Sequence, residues 1–181
     1  LPFYDLTALA YVNFPLPRRR VVFASVIAYA ISQTLGFPAL TGGGVRFRFW
    51  TAWGLNAVDV ARAVAFVGVT FSLGVVTVSA LVLLSQPQEA GAILHLAPFA
   101  AQLIGVVLLS ITAAYFVAAS RMRGRALTVR SFQFSFPAPR IAARQLLIPI
   151  VDWMLAAGVL YVLMPAGHTP GFLPFLAAFV L

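Results

Sequence analysis

Apolar residues group into six segments, separated by connections that contain arginine, proline or glycine. The segments are 1–13, 21–37, 58–85, 96–118, 141–163 and 172–181. A membrane-crossing helix needs roughly 20 apolar residues, so the third, fourth and fifth segments qualify and the second is marginal. The first resembles the end of one helix and the last the start of another, so we expect a part of a longer protein. The pattern predicts an all-α, polytopic integral membrane helix bundle, with a single transmembrane domain over residues 1–181.

Arginines are concentrated in two of the connections between these segments. They are Arg18, Arg19 and Arg20 in one connection, and Arg121, Arg123, Arg125, Arg130, Arg140 and Arg144 in the other. The connection around residues 86–95 contains Glu89 and no arginine. By the positive-inside rule the two basic connections are cytoplasmic and the Glu89 connection lies outside.

This assignment requires an odd number of crossings between Arg20 and Glu89, yet two apolar segments lie between them. One segment therefore does not cross. We predict that 21–37 is re-entrant together with 38–57, and that the chain unwinds at Gly36-Phe37-Pro38 and again at Gly42-Gly43-Gly44. Glycine opposes regular helix, and irregular backbone at membrane depth lines a cavity or is buried in protein. Broken helices of this kind occur at the substrate sites of transporters.

Composition excludes several classes of protein. Of the 181 residues, 62% are hydrophobic and 9% are charged, which is too apolar for a soluble domain of this size. All 12 basic residues are arginine, but they are spread between apolar segments, so the fragment is not expected to bind nucleic acid. The chain has no cysteine, which excludes disulfides and thiolate metal sites.

Catalytic motifs are not recognisable in the sequence. It contains no nucleotide-binding loop, no zinc-protease motif and no Ser/His/Asp set in a suitable context. His95 and His168 lie near outside loops without carboxylate or cysteine neighbours, so no metal site is predicted. We expect no cofactor and assign no catalytic residue.

Arg46 and Arg48 follow the glycine triplet and alternate with Phe47 and Phe49. In an extended or loosely wound stretch, both guanidinium groups would share one face. Such a pair suits a phosphate, and the amides of Gly42–Gly44 would add further donors. The alternative is an interfacial anchor in which the arginines reach lipid headgroups.

Two carboxylates fall inside apolar segments. Asp152 lies near the middle of 141–163, where an unpaired charge costs on the order of 3 kcal/mol. It therefore needs an interior partner, for which Arg46 or Arg48 is the first choice, and the same argument applies to Asp5. A structural ion pair between helices is the alternative to a substrate path. Asp59 and Arg62, three residues apart, are explained by a local surface pair.

The basic connection also contains a polar and aromatic alternation with period two, Ser131-Phe132-Gln133-Phe134-Ser135-Phe136. One interpretation is a segment that lies on an anionic membrane surface, where each arginine contributes about 1 kcal/mol. The other is a solvated loop whose arginines only fix the topology.

A set of short motifs resembles a known family. The motifs are Tyr4-Asp5, Pro17-Arg18-Arg19, Thr34-Leu35-Gly36-Phe37, Leu40-Thr41-Gly42-Gly43, Arg46-Phe47-Arg48, Ala52-Trp53-Gly54-Leu55 and the run Gln145 to Pro165 with Asp152-Trp153. This succession resembles the membrane domain of the bacterial lysylphosphatidylglycerol synthetase/flippase proteins, the multiple peptide resistance factor family. Phe47 stands where that family usually has tyrosine.

The resemblance implies translocation of aminoacylated phosphatidylglycerol from the inner to the outer leaflet of the bacterial cytoplasmic membrane. It also implies a cytosolic synthase domain elsewhere in the full protein, which these residues do not contain, so enzymatic activity of the whole protein stays open. In the headgroup path, Arg46 and Arg48 would bind the phosphate, and Asp152 and Asp5 the ammonium groups. Homo-oligomerisation is left open. The alternatives are a membrane platform that presents lipid to a synthase, and an unrelated secondary transporter for a small anionic solute.

Overall fold

The computed structural model describes residues 2–35, 38–121, 126–129, 132–135, 137–165 and 170–181, and these are almost entirely helical. The elements are α1 (Pro2–Tyr11), α2 (Arg18–Leu35), α3 (Pro38–Ala52), α4 (Ala57–Ser85), α5 (Pro87–Leu94), α6 (Pro98–Arg121), β1 (Ala126–Val129), β2 (Phe132–Ser135), α7 (Pro139–Val162) and α8 (Phe172–Val180). The prediction of an all-α membrane helix bundle is confirmed, with one short β-hairpin added in the basic connection.

Three of the described helices are long and apolar enough to cross a membrane. They are α4, α6 and α7, which cover the three segments that hydropathy selected. α6 carries large apolar side chains exposed on several sides, such as Leu103, Ile104 and Leu109, as expected of a helix solvated by lipid. The chain is a membrane protein.

The chain divides into two compact units. The first contains Leu1–Phe71 and Arg123–Gln145, and the second contains Ser72–Met122 and Leu146–Leu181. Both α4 and α7 contribute residues to each unit.

In the first unit, α1, α2, α3 and the start of α4 surround a core centred on Trp50, which is fully buried. Asp5 bonds Ser25, and Leu9 shares the core with Val21, so α1 and α2 run antiparallel. Two residues after the end of α1, Asn13 lies in the left-handed region, and two residues after the end of α3, Gly54 has φ 97°. Each end is closed by a bond to the carbonyl five residues earlier, which satisfies one of the free carbonyls of the last turn.

The glycine triplet does not break the helix, so that prediction is wrong. α3 runs without interruption through Gly42, Gly43 and Gly44. The reason is packing: a Cβ on Gly42 would overlap Ser32 Oγ on α2, so the missing side chain lets the two helices approach. Glycine costs roughly 1 kcal/mol in a helix interior, and tight packing offsets that cost.

The other proposed unwinding point, at Gly36-Phe37-Pro38, lies largely outside the described residues, because description resumes at Pro38, the first residue of α3. Neither α2 nor α3 belongs to the described helices that are long and apolar enough to cross a membrane. The re-entrant course of 21–57 stays a prediction.

In the second unit, α4 runs antiparallel to α6 and parallel to α7. Thr77 contacts Thr112 at 3.3 Å between hydroxyl oxygens. Nearer the end of α4, Leu84 lies against Gly105, so α6 runs in the opposite direction. Along α7, Gly74 packs on Pro149 and, eight residues later on both helices, Val82 shares a cluster with Ala157. The direction of the chain therefore alternates from α4 to α6 to α7, and the inside and outside assignment of the connections stays a prediction.

The alternating segment 131–136 falls mostly on a β-strand. β1 and β2 pair antiparallel with Ala126 opposite Ser135 and Val129 opposite Phe132. A period of two is the repeat of a strand, which explains the pattern. The two interpretations of this segment, one lying on the membrane surface and one as a solvated loop, stay predictions.

Helix packing at Gly74 can be tested by adding one methyl group. In Gly74→Ala the new Cβ would overlap the buried ring of Pro149, so we expect the free energy of unfolding to fall by about 1–3 kcal/mol. The matched control is Gly68→Ala on the same helix, where nothing lies within 4 Å and alanine should stabilise by up to about 1 kcal/mol. Thermal unfolding in detergent distinguishes them; equal melting temperatures would contradict the packing account.

Candidate functional site

A buried polar cluster joins three helices of the first unit. Asp5 on α1 is fully buried, and its Oδ1 accepts a hydrogen bond from Arg46 Nε on α3 at 2.8 Å. Its Oδ2 accepts a hydrogen bond from Ser25 Oγ on α2 at 2.5 Å. We call these three residues the Asp5 cluster. It contains the ion pair of greatest sequence separation among the described residues, which is 41 positions.

The sequence brings these side chains inward because they lie on the buried faces of their helices. Asp5 belongs to a buried stripe on α1, and Ser25 to a stripe on α2 that repeats every three or four residues. The buried stripe on α2 consists of Val21, Ala24, Ser25, Ala28 and Ser32. This spacing places all five on one face, as in any amphipathic helix. The cluster therefore faces protein rather than lipid.

The ion pair is a charge-assisted hydrogen bond in a site that excludes most water. Both oxygens of Asp5 have partners, so the carboxylate is compensated in the way that a buried charge requires. Arg46 is the more accessible partner, since its side chain is 16% exposed and that of Asp5 is 0% exposed. Asp5 is thus the fixed member of the pair.

Arg46 retains hydrogen-bond donors beyond this pair. In the described part of the chain it contacts Asp5 through Nε, which leaves the N–H groups of Nη1 and Nη2 for another acceptor. Gly42 lies one turn earlier on α3, and a Cβ there would stand 3.0 Å from Arg46 Nη1. The glycine thus leaves room for the guanidinium group.

Two expectations about this stretch are wrong because it is helical. Residues two apart lie roughly 200° apart around a helix, so Arg46 and Arg48 do not share a face. Arg48 is exposed, as is Phe47, whereas Phe49 packs against Phe23 with ring centroids 5.6 Å apart. The amides of Gly42–Gly44 lie inside the helix, where i to i−4 bonds use them, so they do not form an anion cradle.

The two carboxylates that were expected inside apolar segments belong to different units. Asp5 has the interior arginine partner that was expected of a buried carboxylate, and that partner is Arg46. Each of its two oxygens accepts one hydrogen bond, from Arg46 and from Ser25, and its role toward an ammonium group stays a prediction. Asp152 belongs to the second unit, half-buried on α7.

Several polar contacts extend what sequence analysis found. Asp59 and Arg62 form the local pair that was predicted, at 3.1 Å, and Asn56 caps the same turn by accepting from the Asp59 amide. Gln145 donates to Thr70 at 3.0 Å, a buried bond between α7 and α4 that was not predicted. Ser25 was one of many helix serines, and only its place on the buried stripe of α2 marks it.

The two histidines do not add to the site. His95 is exposed and ends α5 in the left-handed conformation. His168 lies outside the described residues.

The comparisons agree with a membrane protein. No family model matches the chain. It is 30% identical over 183 residues to "Uncharacterized protein slr0712" of Synechocystis sp., an alignment that covers 98% of this chain and 55% of that protein. It is 26% identical over 161 residues to "Inner membrane protein YbhN" of Escherichia coli, covering 89% of this chain and 50% of that protein. The chain thus spans about half the length of the curated relatives that it matches.

The Asp5 cluster should be essential to stability. Asp5→Ala leaves Arg46 without its carboxylate and Ser25 without its acceptor, so we expect the free energy of unfolding to fall by about 3–5 kcal/mol. Replacing both charges, in Asp5→Leu with Arg46→Met, should restore most of that loss because no charge is left buried. Equilibrium unfolding in mixed micelles measures both. A single variant as stable as the parent would show that the pair contributes nothing.

The glycine face of α3 provides a second test. Gly42→Ala should weaken the packing of α2 on α3 and lower the melting temperature, because its Cβ would meet Ser32 Oγ and Arg46 Nη1. Gly44→Ala is the matched control, since a Cβ on Gly44 would have no neighbour within 4 Å and alanine favours helix there. Thermal unfolding of the two variants should give shifts of opposite sign. Shifts of the same sign would refute the role assigned to Gly42.

Proposed function

We propose that this chain is part of a translocator that moves aminoacylated phosphatidylglycerol from the inner to the outer leaflet of the bacterial cytoplasmic membrane. The motifs around Tyr4-Asp5 and Arg46-Phe47-Arg48 support it through their resemblance to the lysylphosphatidylglycerol synthetase/flippase proteins. The name of the Escherichia coli relative, an inner membrane protein, supports the location.

The observation that carries the proposal is an arginine held inside a membrane protein with donors to spare. Arg46 is fixed by Asp5 through Nε, and its two Nη groups remain for an anion. A guanidinium group binds phosphate through a planar pair of N–H donors, a geometry that a lysine ammonium does not provide. The headgroup common to all phosphatidylglycerols contains such a phosphate.

In this proposal Asp5 positions Arg46 rather than binding the ammonium group. Asp5 accepts from Ser25 through Oδ2 and from Arg46 Nε through Oδ1, and so orients the guanidinium group. The carboxylate also reduces the net charge of the pair, so a phosphate can bind to Arg46 and also leave. Arg48, which is exposed, would meet the phosphate before or after Arg46. Asp152 keeps its proposed role as the carboxylate for the ammonium group of the lipid.

The two alternatives make different predictions for the same experiment. A platform that only presents phosphatidylglycerol to a synthase would affect how much aminoacyl lipid is made. A secondary transporter for a small anionic solute would affect neither the amount of this lipid nor its distribution between leaflets.

The test is the leaflet distribution of aminoacylated phosphatidylglycerol in cells that express the full-length protein. A membrane-impermeant amine reagent labels the outer leaflet, and extraction gives the total. In Arg46→Gln we expect outer-leaflet lipid to fall about tenfold at unchanged total, since a charged hydrogen bond is worth about 1.5–3 kcal/mol. Arg46→Lys should recover little, because lysine cannot bond Asp5 and a phosphate in the same geometry.

Arg140→Gln is the matched control, because it removes one exposed arginine from the basic connection and leaves the Asp5 cluster intact. It should leave the distribution unchanged. A fall in total lipid in Arg46→Gln would favour the platform. If Arg46→Gln, at equal expression, matched the parent in both total and outer-leaflet lipid, the translocation proposal would be wrong.

A further inference from the structure

An open cleft of about 360 Å³ lies in the first unit between the end of α1 and the start of α2. Its walls are mainly apolar. They include Leu6, Leu9, Ala10, Phe14, Leu16 and Val21. The cleft is separate from the Asp5 cluster, none of whose residues lines it.

The link that forms one wall has a fixed conformation. Asn13 occupies the left-handed region, and Phe14 N bonds Leu9 O at 3.0 Å, which closes the end of α1. Pro15 and Pro17 then restrict the backbone up to the start of α2. A cleft with such a wall exists before a ligand arrives, and this reduces the entropy lost on binding.

Three exposed arginines follow this wall directly. Arg18, Arg19 and Arg20 form the first turn of α2, where the helix dipole already contributes positive potential. Among the described residues the ion pairs are Asp5 with Arg46 and Asp59 with Arg62, so none of the three has a carboxylate partner. Three neighbouring positive charges at a helix start favour the binding of an anion.

One of the three arginines contacts an aromatic ring of the core that also borders the cleft. Arg20 Cζ lies 5.8 Å from the centre of the Trp53 ring, which is a cation–π distance. Trp53 packs on the same core as Phe14 and Leu16, which line the cleft. The exposed Arg20 side chain thus lies over Trp53, and the next residue, Val21, lines the cleft.

We propose that this cleft binds an anionic phospholipid, with one acyl chain in the cleft and the phosphate on Arg19 and Arg20. Ligand pockets span roughly 300–1,000 Å³, so a cleft of about 360 Å³ suits one acyl chain and not a whole lipid with two acyl chains. An apolar cleft beside unpaired arginines matches a molecule with a long apolar part and one anionic end. The proposal does not depend on the translocation proposed above.

The experiment counts the lipids that stay bound to the purified full-length protein. Protein in detergent is titrated with phosphatidylglycerol or phosphatidylethanolamine and analysed by native mass spectrometry. We expect phosphatidylglycerol to bind about tenfold more tightly, because a zwitterionic headgroup gains less from the arginines. Glycerol phosphate at equal concentration should not displace the lipid, because it lacks the chain that fills the cleft.

Two variants address the two halves of the site. Arg19→Gln with Arg20→Gln should weaken phosphatidylglycerol binding about tenfold, while the control Arg140→Gln with Arg144→Gln, which removes the same charge elsewhere, should not. Ala10→Phe fills the cleft from an exposed helix position and should abolish binding of the lipid's acyl chain. Ala61→Phe, at an exposed position on α4 outside the cleft, is its control.

Each opposite result overturns the proposal. Equal loss in both arginine pairs would indicate non-specific attraction by net charge. Equal affinity for the two lipids would remove the anionic requirement, and displacement by glycerol phosphate would assign the site to a free phosphate. If the purified protein binds phosphatidylglycerol as expected but Arg46→Gln leaves the leaflet distribution unchanged, only the translocation proposal is rejected.

Discussion

The charge on Asp5 is the constraint from which the arrangement of the first unit follows. A carboxylate that is fully buried must be compensated, and here it is bonded by Arg46 and Ser25. These partners come from α3 and α2, so one charge fixes three helices against each other. Arg46 can reach Asp5 only if α3 lies close to its neighbours, and the absence of a side chain at Gly42 permits that approach. The close approach of α3 at Gly42 and the ion pair between Asp5 and Arg46 therefore depend on each other.

Small residues perform the same task in the second unit. Lipid tails are as apolar as leucine, so helices in a membrane associate through close packing and polar contacts rather than through the hydrophobic effect. Gly74 against Pro149 and Gly105 against Leu83 bring α7 and α6 onto α4. The hydroxyl contact between Thr77 and Thr112 adds a polar link on the α6 side. Gly42, Gly74 and Gly105 thus mark positions where helices approach each other closely.

Sequence reasoning succeeded where the signal was local and failed where it depended on packing. Length and hydropathy identified α4, α6 and α7, because a membrane span is defined by its own residues. The glycine triplet was misjudged, because intrinsic propensity counts against helix and the favourable contact with Ser32 comes from another element. Sequence analysis named Arg46 or Arg48 as the interior partner of a buried carboxylate, but with 41 positions between Asp5 and Arg46 it could not decide which pair forms. Only its place on the buried stripe of α2 distinguished Ser25 from the other helix serines.

The cleft and the Asp5 cluster occupy successive levels of the same helix pair. α1 and α2 are antiparallel, so Leu9 and Val21 at the cleft lie one turn, about 6 Å, from Asp5 and Ser25. The arginines beside the cleft are exposed, and contacts of that kind are weak and readily exchanged. Arg46 is mostly buried, and its contacts are stronger because water is largely excluded. A phospholipid bound at the cleft would therefore meet its tighter phosphate ligand only by moving inward along α1 and α2. If both proposals hold, such a gradient would favour entry from the arginine side, and release from Arg46 would be the step that the Asp5 carboxylate assists.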